Sequence, residues 1–142
     1  MENRRQAHAV YRNQYHFVWI TRYRYKVLTK GVKEYLKIKL EEVRKHYPEF
    51  EYIEYNIQPD HVHLIITFPL KYSGAQVIDI IKRNTGKALR DEIDFLKQRY
   101  YGRGGIWSVG YYISTVGLDE SVIKNYVQYQ GKEDLGQAKL AF

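Results

Sequence analysis

The chain has 142 residues, with 23 lysines and arginines against 16 aspartates and glutamates for a formal net charge of +7, and 44% of it is hydrophobic. That length suits a single domain, residues 1–142, with room for a sizeable core, and the composition excludes general disorder. The charge favours a polyanionic partner over a small neutral substrate, and the absence of cysteine excludes disulfides, thiolate metal sites and a cysteine nucleophile.

The N-terminal residues Met1 to His8 lack the apolar core of a signal peptide, and no run approaches the roughly 18 apolar residues of a membrane span. A soluble cytoplasmic protein with no membrane partner is expected. Fifteen tyrosines stand against 5 phenylalanines and 2 tryptophans. In a basic protein such rings can stack on bases and their hydroxyls can reach phosphates; the alternative is tyrosine as half-buried strand filler.

Tyr15 to Tyr23 alternates aromatic and branched residues and reads as a first strand. Lys33 to Tyr47 carries Leu36, Leu40 and Val43 at helical spacing. Glu51 to Gln58 alternates again, Pro59-Asp60 turns the chain, and Val62 to Phe68 is apolar, so a hairpin is expected. From Ser73, a candidate N-cap, to about Ile93, the residues Val77, Ile78, Ile81, Ala88 and Leu89 follow a helix in which Gly86 is a weak point. Tyr100 to Gly105 is a loop signal, and Trp107 to Val116 reads as a fourth strand ended by Gly117. Asp119 or Ser121 then caps a helix from about Val122 to Gly131. The order βαββαβα predicts an α+β fold: a ferredoxin-like βαββαβ antiparallel sheet with helices on one face, plus a C-terminal helix that carries the tyrosines.

His61-Val62-His63 stands at the start of an apolar strand, where alternation sends both imidazoles to one face. Side by side they form half of a metal site, or else a structural or surface pair. Tyr126 and Gln130 share a face of the last helix. A Gln130 carbonyl with two neutral imidazoles would hold a divalent ion, magnesium or manganese, and leave positions open for phosphate oxygens. The Tyr126 phenol, one turn from that ligand, would be placed to attack phosphorus and form a phosphotyrosine. Against this stands plain amphipathic packing of Tyr126 and Tyr129. Asp60 is the one carboxylate in the motif, and orients the turn or a histidine. Lys82, Arg83, Lys87 and Arg90 on the second helix, and Arg22 and Arg24 amid tyrosines after the first strand, are candidate DNA contacts or solvated surface. His8, His16 and His46 lack partners at ligand spacing and read as structural or surface residues.

Gln58-Pro59-Asp60-His61-Val62-His63-Leu64-Ile65-Ile66 together with Tyr126-Val127-Gln128-Tyr129-Gln130 resembles the single-tyrosine HUH transposases of small insertion sequences. Tyr15 to Arg24, Trp107 to Tyr112, Ser114 to Gly117 and the basic helix through Lys82 agree with it, so the resemblance spans Tyr15 to Gln130. It implies a dimeric strand-transfer enzyme that recognises hairpins at the ends of its element on single-stranded DNA, cleaves beside them and becomes linked through tyrosine to the 5′ phosphate. On that likeness Tyr126 matches the nucleophile, His61 and His63 the metal pair and Gln130 the third ligand, and the tyrosine helix can complete the partner subunit's site in a homodimer with composite sites. Two rival functions are a ferredoxin-like nucleic-acid-binding module, domesticated and inactive, and a metal-dependent nuclease that activates water while Tyr126 only packs.

Overall fold

The computed structural model describes residues 4–6, 9–11, 14–115 and 117–136. Two short antiparallel strands, β1 (Arg4–Gln6) and β2 (Ala9–Tyr11), pair with each other. The main body follows as β3 (Tyr15–Ile20), α1 (Lys30–His46), β4 (Glu51–Gln58), β5 (His61–Thr67), α2 (Gly74–Glu92), α3 (Asp94–Arg99), β6 (Tyr112–Ser114) and α4 (Glu120–Asp134). The four long-range strands pair antiparallel in the order β4-β5-β3-β6. This is the ferredoxin-like plan expected from the element order.

Alternation along β3 decides which layer covers which face. Phe17 and Trp19, both fully buried, point into the core with Leu36 and Leu40 of α1 and Val77, Ile78 and Ile81 of α2. Each such side chain contributes roughly 1.5–3 kcal/mol by leaving water. Val18 and Ile20 point the other way and meet Val127 of α4, with Ile123 and Tyr126 packed beside them. Thus α1 and α2 cover one face, and α4 lies alone on the other. Among the described residues no helix is long and apolar enough to cross a membrane.

Three boundaries differ from the sequence expectation. The first strand's ladder stops at Ile20; Thr21 N–H still reaches the Asp60 carbonyl at 3.0 Å and Arg22 N–H that of Ile106 at 2.7 Å, and the chain then turns away. A short 3-10 turn follows at Arg22–Arg24, with Tyr23 and Arg24 at φ of 63° and 58°. The helix expected from Ser73 is unbroken at Gly86 and carries a full capping box, Ser73 Oγ accepting from Gln76 N–H and Gln76 Oε1 from Ser73 N–H. Gly86 is a point of close approach: a Cβ there would stand 2.8 Å from the Trp107 ring.

The third difference is the fourth strand, expected over Trp107 to Val116. The ladder holds only Tyr112–Ser114, with Trp107 in one isolated bridge to Thr21. Between them the Ser108 N–H still donates to the Ile20 carbonyl at 3.0 Å, but the Lys82 ammonium draws the Ser108 and Gly110 carbonyls at 2.7 and 2.9 Å, which turns the acceptors of this stretch towards α2. Val116 lies outside the described residues. Of the two candidate caps for α4, Asp119 serves, its Oδ1 accepting from Val122 N–H at 3.0 Å and from the Ser121 hydroxyl at 2.7 Å.

Candidate active site

The register of the sheet builds the histidine face. Ile20 pairs with His61 and Val18 with His63, and on the other side Gln58 pairs with His61 and Asn56 with His63. Paired residues share a face, so both imidazoles stand on the α4 side between β3 aliphatics and β4 amides. Beside them lies a cavity of about 190 Å³ lined by Asn56, Gln58, His61, His63, Glu120 and Ile123.

Each histidine is held by a neighbour. His61 Nδ1 lies 2.8 Å from Asp60 Oδ1, and because a carboxylate only accepts, Nδ1 carries a proton and Nε2 is the nitrogen that would meet a cation. Arg24 Nε donates to the other Asp60 oxygen at 3.3 Å. The His61 hydrogen bond, with Arg24 beyond it, holds the buried Asp60 carboxyl below its usual range. His63 Nε2 lies 3.2 Å from Nδ1 of His16. Burial lowers the pKa of both His16 and His63 beneath 6.5, and for His63 the neighbouring imidazoles add to it. Both are neutral at pH 7, the form that binds cations. Two imidazoles on one strand, one of them with its outer nitrogen fixed on a carboxylate, fit a divalent metal.

Tyr126 and Gln130 also stand together. The Tyr126 ring lies 5.6 Å from that of Tyr112, and its hydroxyl is 3.5 Å from Gln130 Oε1. Burial, with the Asp134 charge adding to it, pushes the phenol pKa up. Gln130 is 6% exposed; its amide donates to the Ser108 hydroxyl at 2.8 Å, and Ser108 donates to Asp134 Oδ1 at 2.6 Å. Asp134 Oδ2 accepts the Tyr23 N–H at 2.9 Å. Tyr129 faces outward and is half-exposed.

The helix residues lining the histidine cavity are Glu120 and Ile123, in the first turn of α4. Tyr126 lies three residues beyond Ile123 and Gln130 seven, roughly 4.5 and 10 Å along the axis. Farther along the helix Gly131 packs on the stem of Arg24, whose Nε donates to the Asp60 carboxylate that holds His61.

The six cations expected on DNA divide. Lys82 is internal: burial, with the Arg22 charge adding to it, lowers its pKa to about 8. Arg24 serves Asp60, and its stem packs where Gly131 leaves no side chain. Arg22 donates to the Gly104 and Gly105 carbonyls. Arg83, Lys87 and Arg90 are exposed beside Asp79 and Asp91. They border a groove of about 450 Å³ against the loop 104–109. His16 was the residue that sequence reasoning missed. Alternation placed it on the face of Val18, but nothing in the sequence reported the register that brings it to His63, 47 residues away.

The chain as a whole has known relatives. ISDra2 transposase TnpA of Deinococcus radiodurans is 28% identical over 122 residues, 85% of this chain and 86% of that protein. The transposase for insertion sequence element IS200 of Salmonella typhimurium is 27% identical over 132 residues, 90% and 83% of the two chains. A crystal structure of a protein assigned as a transposase from Deinococcus radiodurans superposes with a TM-score of 0.78 at 25% identity, covering 89% of this chain and 97% of that one. The structure of a REP-associated tyrosine transposase bound to a REP hairpin shares the fold, with a TM-score of 0.55 at 19% identity over 89% and 70% of the chains. The family model described as "Transposase IS200 like" matches residues 9–130, a span that takes in the whole main sheet, the histidine pair, Tyr126 and Gln130, and the chain belongs to that family of transposases.

Proposed function

We propose that this transposase cleaves and rejoins single-stranded DNA at hairpin-bearing element ends through a covalent 5′-phosphotyrosine on Tyr126. The observation that carries the reading is the pair of imidazoles on one sheet face, with Asp60 fixing His61, in a chain whose last helix sets Tyr126 one turn from Gln130. His61, His63 and Gln130 would hold the cation, magnesium or manganese, which supplies a Lewis acid for the phosphoryl oxygens when bound.

The chain's own groups account for the rest. The Tyr126 oxygen attacks phosphorus as the phenol proton departs; the bond to the 3′ oxygen breaks, and that oxygen leaves as a hydroxyl. The tyrosyl ester conserves the energy of the broken phosphodiester, so attack by a 3′ hydroxyl restores the strand without a nucleotide cofactor. The phenol packs against Tyr112 and burial pushes its pKa up, so attack requires its proton to be drawn off. Gln130 is held by Ser108 and turns to the cation when one binds. We place this chemistry in a homodimer in which α4 of one subunit completes the histidine site of the other.

For the DNA, the exposed Arg83, Lys87 and Arg90 along the groove suit phosphate tracking, with Lys82 in its wall and Arg22 holding the Gly104 and Gly105 carbonyls of its rim; Arg24, bonded to Asp60, lies apart from it. The hairpin bound to the structurally similar REP-associated transposase supports a folded DNA end as partner.

The test is a denaturing gel of labelled single strands from the flanks of the gene, incubated with wild type, Tyr126→Phe or Tyr129→Phe, with manganese or with chelator. A shifted band that requires manganese and Tyr126 and survives Tyr129→Phe is expected. An adduct formed by Tyr126→Phe would overturn the nucleophile, and cleavage with no adduct would assign the chemistry to water.

A further inference from the structure

The face that carries the histidine pair holds a third imidazole. His16 pairs with Ile65 across the sheet while Val18 pairs with His63, which makes His16 the diagonal neighbour of His63 on the same face. Their ring centroids are 5.4 Å apart, His16 Nδ1 is 3.2 Å from His63 Nε2, and His16 is only 9% exposed. Two ring nitrogens at that distance share one proton and one lone pair.

The cavity decides what the third ring does. His61 and His63 line it, together with Asn56, Gln58 and Glu120, whereas His16 stands behind His63 and does not. In metal sites the outer ring nitrogen of a ligand histidine donates its proton to a fixed acceptor, and that bond decides which nitrogen is left to bind. His61 already has this arrangement with Asp60. His63 has no carboxylate among its hydrogen-bond partners; it has His16.

We propose that His16 is a positioning residue for His63: its Nδ1 lone pair accepts the Nε2–H of His63, fixes that tautomer and orientation, and leaves His63 Nδ1 with the lone pair for a divalent cation. The proposal rests on the reading of His61 and His63 as metal ligands. It assigns to β3 a part in the site that the His-x-His motif does not contain.

Long-range proton–nitrogen NMR on the full ¹⁵N-labelled chain without metal reads the tautomer of each histidine directly, and titration with manganese reads affinity. Wild type is expected to carry the His63 proton on Nε2. His16→Asn, whose amide oxygen replaces the Nδ1 acceptor, should keep both the tautomer and the affinity. His16→Phe, which keeps a ring but no acceptor, should release the tautomer and bind manganese about 10- to 100-fold more weakly. A His63 proton on Nδ1 in wild type would overturn the proposal, and that result depends on no variant folding. So would His16→Phe binding manganese as wild type does. If wild type binds no manganese and His61→Ala changes nothing, the metal reading itself has failed, and the role of His16 falls with it.

Discussion

Gly110 is a point of close approach between α4 and the chain beneath it. A Cβ there would stand 2.3 Å from Gln130 Oε1. The amide is the end of a flexible side chain, so alanine would displace it and leave the backbone in place. The displaced amide would lose the buried Ser108 hydroxyl, 2.8 Å away. Gly110→Ala should therefore cost about 1–3 kcal/mol in urea denaturation, and little further in a chain that already carries Gln130→Ala; additive losses would show that the two do not touch. Lys82 gives a pH signature. Its pKa is about 8 in the folded chain against an ordinary 10.5. Between those values the unfolded state binds more protons, so this group makes stability rise with pH in that window, and below pH 8 its burial cost stands in full. The stability of wild type relative to Lys82→Met should climb from pH 8 towards 10. A flat difference would mean that Lys82 keeps its ordinary pKa.

The helices differ in how they are held. Val32, Leu36, Leu40 and Val43 give α1 a continuous buried stripe, and Val77, Ile78, Ile81, Thr85 and Leu89 do the same for α2. α4 buries only Val127, Gln130 and Gly131, and its far end is fastened by the Ser108, Gln130 and Asp134 hydrogen bonds. Elements with few buried apolar contacts open at free energies below that of global unfolding. Amide exchange in α4 should accordingly be faster than in α1 or α2. Ser108→Ala combined with Asp134→Ala should speed it further and leave α1 unchanged; uniform protection across the helices would contradict this. The same contrast explains what could be read in advance. The stripes of α1 and α2 are periodic, so both helices were legible. The β-branched and aromatic run after Trp107 looked like a strand because sequence pattern does not include a buried ammonium competing for its carbonyls. β1 and β2, three residues each, are too short for any period to show.

At the scale of the whole molecule, the two halves of the chemistry were legible separately. Alternation put His61 beside His63, and a four-residue helical step put Tyr126 beside Gln130. Their spatial relation was not, because it depends on where α4 docks, and a helix with a small apolar patch does not encode that in its own period. The structure sets the α4 turn with Glu120 and Ile123 at the histidine cavity, while Gln130 is spent on Ser108. A homodimer allows two arrangements: α4 completes the site of its own chain, or the helices are exchanged and each completes the site of the partner. The distinction is measurable by mixing. One subunit carries Tyr126→Phe with its histidines intact, and the other carries His61→Ala and His63→Ala with Tyr126 intact. Neither has a complete set alone, and each should be inactive in the adduct assay. In exchanged dimers the histidines of the first meet the tyrosine of the second, so mixing after partial unfolding and refolding should restore the adduct, with the label attached to the subunit that keeps Tyr126. If each subunit completed its own site, every site in the mixture would lack either ligands or nucleophile, and no adduct would form at any ratio.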